Sequence, residues 1–330
     1  MRYEMSDLAT LELKHRSWSA QLVLRAAGER TASVSEALIK AQCPSDVELT
    51  LIDEQPFEKA LQACYRAGLE AGRDWTIMID ADLMLLRGAI EGLLRAAAEQ
   101  TSSHVQLQGR IFDKITGVYR SAGPRIYRTD LLEQALHLIP ASGQAIRPEY
   151  ETLQAMERLG HPSRFVPDVF ALHDFEQFYC DLYRKAFVHA RKHAWLVGSM
   201  LERCRDNLAD DPDFLVMLKG LWDGLTMSDE VSIDRRLFID KGEMALSELG
   251  LTEKEPLNTE IFMRNFECFV ADATQNYELP PMAIYDKPQE PVPSGLRGSV
   301  VHRVRKRGLL GGSVASFGAL LCKMGRALDS

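Results

Sequence analysis

Two aspartates one residue apart, Asp80 and Asp82, follow directly on Trp75-Thr76-Ile77-Met78-Ile79, five residues that are apolar or β-branched and include neither a charge nor a glycine. Such a run reads as a strand buried on both faces, the environment of a parallel sheet. Open α/β sheets bind ligands outside the carboxyl ends of their strands, which is where this pair stands. Apposed carboxylates repel unless something neutralises them, and a divalent cation that takes oxygen ligands, Mg²⁺ or Mn²⁺, does so most simply. The plain structural reading is that two acids end a strand and open a solvated turn before a helix near Arg87. Two other places carry similar chemistry. His173-Asp174 closes the extended run Val169-Phe170-Ala171-Leu172, and Glu149 and Glu151 stand in the first turn of a helix opened by Pro148. Without further context a strand-end histidine is a surface residue, and acids in a first helical turn serve the helix dipole.

Positioning these residues requires a sheet whose strand ends converge. Residues 21–26 read as a first strand, with Gly28 in the turn and Thr31 or Ser33 capping a helix that runs to about Cys43. A second strand over residues 47–52 ends in Asp53-Glu54. Pro56 opens the next helix, and Leu61, Tyr65 and Leu69 repeat at helical spacing toward Gly72. Strand, helix, strand, helix, strand is thus complete before residue 83, the pattern of a right-handed parallel unit. Residues 88–100 predict a helix, and residues 104–109 a strand that Arg110-Ile111-Phe112-Asp113 extends. A loop at 121–124 enters a short strand ending at Arg128, Asp130 caps a helix, and the Pro148 helix stops at Gly160. Two short extended pieces, 164–167 and 169–172, lead to His173.

From Phe175 to about Thr226 the pattern is helical, broken near Asp210-Asp211-Pro212. Tyr179, Tyr183, Phe187 and Trp195 read as core packing on one face rather than a sugar platform. Lys185, Arg191 and Lys192, with His189 and His193, read as a solvated basic face. A mixed helical segment reaches about Thr274, and prolines at 280–281 and 288–293 mark a linker. The 330 residues leave room for a large α/β domain plus an appended piece, and 46% hydrophobic content is ordinary for a globular protein. A net charge of -8 argues against nucleic acid as a partner. The six cysteines are scattered and form no Cys-x-x-Cys, which favours a reducing, cytoplasmic setting. Charged residues 1–10 predict no secretory signal, and no run of about 20 apolar residues predicts a membrane span.

In this order, the strand ending Asp80-Ala81-Asp82, the acidic helix start before Gly160 and the late strand ending in His173 resemble the GT-A fold nucleotide-sugar glycosyltransferases, especially the large family 2-like bacterial group. The resemblance runs from about Gln21 to Asp174, roughly half of the chain. It implies an α/β fold, a GT-A-like mostly parallel sheet with flanking helices, here with a helical C-terminal extension. It also implies sugar transfer from a nucleotide-sugar donor to a glycan, lipid-linked or protein acceptor. Asp82 would be the direct metal ligand, Asp80 would help through water or sugar hydroxyls, and His173 matches the family's late ligand histidine. An imidazole ligand tilts the expected cofactor toward Mn²⁺ over Mg²⁺. Asp53 and Glu54 match the place where such enzymes hold the base or ribose, with Arg25 facing the same crevice and Glu29 and Arg30 as weaker candidates. The inverting members' base lies at the start of the Pro148 helix, but Glu149-Tyr150-Glu151 replaces the usual Glu-Asp pair. Glu149 is the better placed and Glu151 the reserve; a retaining enzyme would need neither.

The expected division is therefore a catalytic domain over 1–174, a helical extension over 175–279, and a proline-rich linker with a basic amphipathic tail over 280–330. In that tail the uncharged stretch 308–322 lies between Arg303, Arg305, Lys306 and Arg307 on one side and Lys323 and Arg326 on the other. It is too short to span a bilayer and suits either an interfacial helix at the inner face of a membrane or a helix that docks on protein. Two other functions compete. Haloacid-dehalogenase-like phosphatases also place Asp-x-Asp after an apolar strand, but near the domain start and without the Met84 found here. A noncatalytic binding protein on the same fold is the other.

Overall fold

A strand buried along its whole length needs cover on both faces, and β1 (Ala20–Arg25) is buried at all six positions, Gln21 and Arg25 included. The computed structural model describes residues 19–43, 47–99, 103–193, 195–228 and 232–274. The remaining strands are β2 (Leu49–Ile52), β3 (Trp75–Asp80), β4 (Leu83–Leu85), β5 (Gln106–Asp113), β6 (Val118–Arg128) and β7 (Ser163–His173). They form one sheet in the order β2-β1-β3-β6-β5-β7-β4. The expected parallel unit is the β2-β1-β3 half. Beyond it the sheet is mixed, because β6 pairs antiparallel with both β3 and β5, and β4 antiparallel with β7, while β5 and β7 run parallel.

Side-chain alternation divides the sheet's cover. Helices α1 (Ala32–Gln42), α2 (Phe57–Ala71) and α3 (Ala89–Ala98) follow β1, β2 and β4. Leu22, Leu24, Ile77 and Ile79 face one side and pack with Ile39 of α1 and Ile90, Leu93 and Leu94 of α3. Val23 and Met78 face the other, against Leu61, Cys64 and Tyr65 of α2. That second side also receives Leu132 of α4 (Leu132–Leu136) and Leu153 and Met156 of α5 (Pro148–Arg158).

The chain after the sheet forms a helical layer of α6 (Tyr179–Lys192), α7 (Val197–Asn207), α8 (Pro212–Thr226) and α9 (Ile239–Leu249). Tyr183 and Phe187 lie in its core, as their spacing predicted, whereas Trp195 is 39% exposed. Gly220 and Gly224 let α8 press against α6, since a Cβ at either would overlap the carbonyl oxygen of Tyr183 or Phe187. Asp211 caps α8 by accepting from the Asp213 amide at 2.9 Å, with Pro212 at the first turn, which explains the break read there. Two further helices, α10 (Thr259–Arg264) and α11 (Phe266–Thr274), return to the sheet, where Phe266 joins Val34, Leu38, Phe112 and Phe175.

Local differences from the sequence reading have identifiable causes. Thr31 starts α1 without a side-chain cap, because its hydroxyl donates to the Ala81 carbonyl at 2.7 Å and ties the helix start to the aspartate turn. The two extended pieces before His173 are a single strand whose register with β5 shifts on either side of Arg110. Strand β4 has only three residues, too few for a periodicity to declare it. The linker and basic tail expected over 280–330 lie outside the described residues.

Candidate active site

Strand register brings the chemistry-bearing residues together. Arg25 lies opposite Asp80 across the parallel pair β1–β3. His173 lies opposite Asp113 on β5 and opposite Leu83 on β4, one residue beyond Asp82. Two chains of ionic contacts therefore meet at Asp80-Ala81-Asp82.

The first chain is made by the sheet and α5. Arg25 Nε donates to Asp80 Oδ1 at 2.6 Å, and its Nη2 lies 2.6 Å from the same oxygen. Arg25 also faces Glu149 Oε2 at 3.6 Å, and Arg125 Nη1 approaches that oxygen to 3.1 Å. Glu149 Oε1 accepts from the Tyr127 hydroxyl at 2.6 Å. Burial alone would raise the Glu149 carboxyl, but Arg125 and Arg25 outweigh it and hold the group below its ordinary range. Both Glu149 oxygens are thus committed inside the protein. Glu151 is exposed, and its carboxylate lies within electrostatic reach of Arg147.

The second chain joins the sheet to the helical layer. Lys185 Nζ of α6 donates to Asp82 Oδ2 at 2.7 Å and to Asp174 Oδ1. His173 Nε2 lies 3.4 Å from Asp82 Oδ2, and its Nδ1 bonds Asp113 Oδ2 at 2.8 Å. Asp113 is fully buried; Arg120 donates to its Oδ2, and the Thr116 amide and hydroxyl donate to its Oδ1 at 2.7 and 2.8 Å. Burial would raise the Asp82 carboxyl, yet Lys185 and His173 hold it well below the usual range. Burial would lower the His173 imidazole, yet Asp174, Asp82 and Asp113 raise it well above its ordinary value. Asp174 and Glu176 take left-handed backbone, φ 63° and 57°, within three residues of His173. Asp is one of the few residues that tolerate this conformation, and here it accompanies a carboxylate turned inward to Lys185.

The donor set fits a divalent cation. One ligand atom each from Asp82, His173 and Asp174 lie within 4.8 Å of one another. Asp82 Oδ1 and Asp174 Oδ2 are buried and receive no hydrogen bond from the described residues. Among them Asp174 Oδ2 is approached by His173 Nδ1 at 3.1 Å, and that nitrogen lies closer to Asp113, at 2.8 Å. A carboxylate behind a histidine is the arrangement that fixes the tautomer and leaves the other ring nitrogen for a metal. Asp80 stands apart from this group, held by Arg25.

A cavity of about 450 Å³ opens at the carboxyl ends of β1 and β2, where Ala27 and Gln55 line it, and Phe178, Arg184, Arg235 and Phe238 of the helical layer wall it. Arg235 ties the two parts together by donating to the Ala27 and Gly28 carbonyls at 2.6 and 2.8 Å and by pairing with Asp181 at 3.0 Å. Asp53 and Glu54 are exposed beside Gln55 and are not among its lining residues. Glu29 is directed elsewhere: its carboxylate accepts from the Ala27 amide at 2.6 Å, and burial and Asp82 push it up. Arg30 pairs with Glu176 at 2.6 Å.

Sequence reasoning missed Asp113, Arg120 and Arg235, named Asp174 only as the neighbour of His173, and read Lys185 as part of a solvated face, whereas its side chain is turned inward to Asp82 and Asp174. Asp113 and Asp174 had a usable signal, each being an acid at a strand end, after Ile111-Phe112 in the one case and after Ala171-Leu172-His173 in the other. Lys185 and Arg235 had none, because their place depends on how the helical layer docks.

No protein-family model matches the chain, and no curated protein matches it. Similar solved structures include the mannosyltransferase PcManGT from Pyrobaculum calidifontis in complex with GDP-Man and Mn²⁺, with 12% identity, TM-score 0.39, and coverage of 93% of this chain and 88% of that one. A 4-diphosphocytidyl-2C-methyl-D-erythritol synthase from Anaerococcus prevotii is 9% identical, with TM-score 0.35 and coverage of 48% and 88%. A glycosyltransferase involved in glycosylation of the major capsid of PBCV-1 is 12% identical, with TM-score 0.31 and coverage of 47% and 82%. At these scores the likeness carries no argument by itself, so the functional reading rests on the site. The chain is an α/β protein, and the solved structures to which it is similar include glycosyltransferases.

Proposed function

We propose that the protein is a metal-dependent glycosyltransferase that uses a nucleotide-sugar donor. The observation that carries this reading is the meeting of Asp82, His173 and Asp174 at the carboxyl end of the sheet, with Asp113 behind His173; the cavity opens at the ends of β1 and β2 and is lined by none of these four. Asp82, His173 and Asp174 would hold the cation. When bound, a divalent cation there neutralises charge on a leaving diphosphate, a contribution of several kcal/mol in such reactions. A cavity of about 450 Å³ lies in the usual range for small-molecule sites. Its apolar walls Phe178, Phe238 and Ile239 suit a nucleoside, and its charged lining is mixed, with Arg184, Arg235 and Arg236 beside Asp181 and Glu253.

The remaining residues position the site. Arg25, held by Glu149, keeps Asp80 fixed at 2.6 Å, leaving Asp80 to orient a donor hydroxyl. That engagement disfavours the phosphatase reading, in which an aspartate here would be a free nucleophile. Glu149 has both oxygens occupied and serves this reading as the anchor of Arg25 and Arg125, so the exposed Glu151 becomes the carboxylate to examine as a base. The acceptor stays open to glycan, lipid-linked or protein hydroxyls. The test is donor hydrolysis measured across nucleotide sugars with Mn²⁺ and with EDTA. Hydrolysis of one donor that stops in EDTA and in Asp82→Asn supports the reading. Hydrolysis of a phosphomonoester instead, or of nothing, overturns it.

A further inference from the structure

Lys185 occupies an unusual place for a lysine on a helix otherwise packed against α8. Its ammonium bridges two carboxylates from different parts of the sheet, Asp82 Oδ2 at 2.7 Å and Asp174 Oδ1, and its side chain is only 12% exposed. Asp174 is fully buried and the Asp82 side chain is 16% exposed. A desolvated pair of carboxylates needs a counter-charge, and breaking such a pairing without replacement is strongly unfavourable. Lys185 supplies that charge through the same two residues that would coordinate a cation. A divalent ion and an ammonium cannot both sit between the same two carboxylates without strong repulsion, because charges a few ångströms apart in a partly buried site interact by several kcal/mol.

Resting on the reading that Asp82, His173 and Asp174 take a divalent cation, we infer that Lys185 is the site's resident counter-ion, so that the cation enters tightly only together with a diphosphate that can take over the lysine. The coupling is reciprocal: what the diphosphate does for cation affinity, the cation does for diphosphate affinity. Lys185 belongs to the helical layer and Asp82 to the sheet, so loading the site releases one contact between the two layers. Lys185 thus acts as a positioning residue that makes the donor and the cation bind as a unit.

The test reads Mn²⁺ binding to the full chain by electron paramagnetic resonance of the free ion, without turnover. Four proteins are compared: wild type, Lys185→Met, Lys185→Arg and Asp82→Asn. Each is titrated with Mn²⁺ alone and with Mn²⁺ in the presence of UDP, GDP, CDP or ADP. Lys185→Met should bind Mn²⁺ alone about tenfold or more tightly than wild type, and Lys185→Arg should resemble wild type. The effective diphosphate should raise Mn²⁺ affinity at least tenfold in wild type and much less in Lys185→Met. A lysine that merely held the fold together would lower Mn²⁺ affinity when lost, never raise it. Equal Mn²⁺ affinity of wild type and Lys185→Met, with Asp82→Asn weaker than both, overturns the inference and leaves the metal site standing. Absence of Mn²⁺ binding in every protein with every diphosphate overturns both. Should Lys185→Met fail to fold, Lys185→Gln keeps a polar side chain without the charge and is read by the same criterion.

Discussion

At the scale of single residues, the aspartate pair and His173 were legible because charge appears abruptly where an apolar run ends. What could not be read was which protein groups already neutralise them. Asp80 and Asp82 point into different ionic chains, one closed by Arg25 and Glu149 and the other by Lys185 and His173. The spacing predicted one site where the structure makes two connected ones. Asp113 accepts the His173 Nδ1 proton at 2.8 Å, and outer partners of this kind typically change metal affinity 10–100-fold when lost. Asp113→Asn should therefore weaken Mn²⁺ binding about 10–100-fold, and calorimetric titration measures it; an unchanged isotherm would remove His173 from the ligand set. Glu149 separates two roles by a different readout. As an anchor, Glu149→Gln leaves Arg25 and Arg125 short of a buried counter-charge and should lower stability by about 3–5 kcal/mol while weakening donor binding. Were it the base, turnover alone would fall, by about 10²-fold or more, with melting temperature and donor affinity unchanged.

At the scale of elements, the five-element βαβαβ start was legible because β1 and β3 carry buried, largely apolar runs and the half-exposed edge strand β2 is still rich in apolar and β-branched residues. Strand β5 and its turn at Thr116-Gly117 were legible as well, but the first half of β6, read as a loop over 121–124, was not, nor were β4 and the continuity of β7, since their pairing depends on partners distant in sequence and on a register shift near Arg110. The hairpin turn is also where the sheet is fastened to the helices. Lys114 pairs with Asp211 at 2.8 Å and with Asp213, and Lys254 reaches Asp213 at 2.5 Å. Burial would raise the Asp213 carboxyl, but Lys114 and Lys254 outweigh it and hold it below its ordinary value. A carboxyl whose folded value is depressed contributes stability that is fully present above its unfolded value of about 3.9 and is lost as pH falls through the folded value. Wild type should therefore lose melting temperature steeply below about pH 4. Asp213→Asn should start lower at neutral pH and fall less over the same acid range. Parallel curves for the two proteins would mean that the fastening contributes nothing to acid stability.

At the scale of the whole molecule, the helical layer is part of the site, which a reading confined to the first half of the chain does not foresee. It provides Lys185 to the carboxylates and Arg184, Arg235 and Phe238 to the cavity wall. Among the described residues no helix is long and apolar enough to cross a membrane. The basic residues flanking the uncharged stretch 308–322 keep a membrane-surface role as a proposal for this chain, at about 1 kcal/mol per cation near anionic lipid. Sedimentation with anionic liposomes at low salt should carry down the full chain more than a version ending at Pro293, and equal recovery in the supernatant would dismiss that role. The central claim, that this strand end takes a cation and a nucleotide sugar together, is tested most directly by thermal unfolding of wild type across a panel of nucleotide sugars with Mn²⁺ or EDTA. A ligand present at about 100 times its dissociation constant stabilises the folded state by about 2.7 kcal/mol. One donor should raise the melting temperature by several degrees in Mn²⁺ and far less in EDTA, with the rise abolished in Asp82→Asn. A panel in which no donor shifts the transition, or in which the shift is the same with EDTA, would contradict the claim.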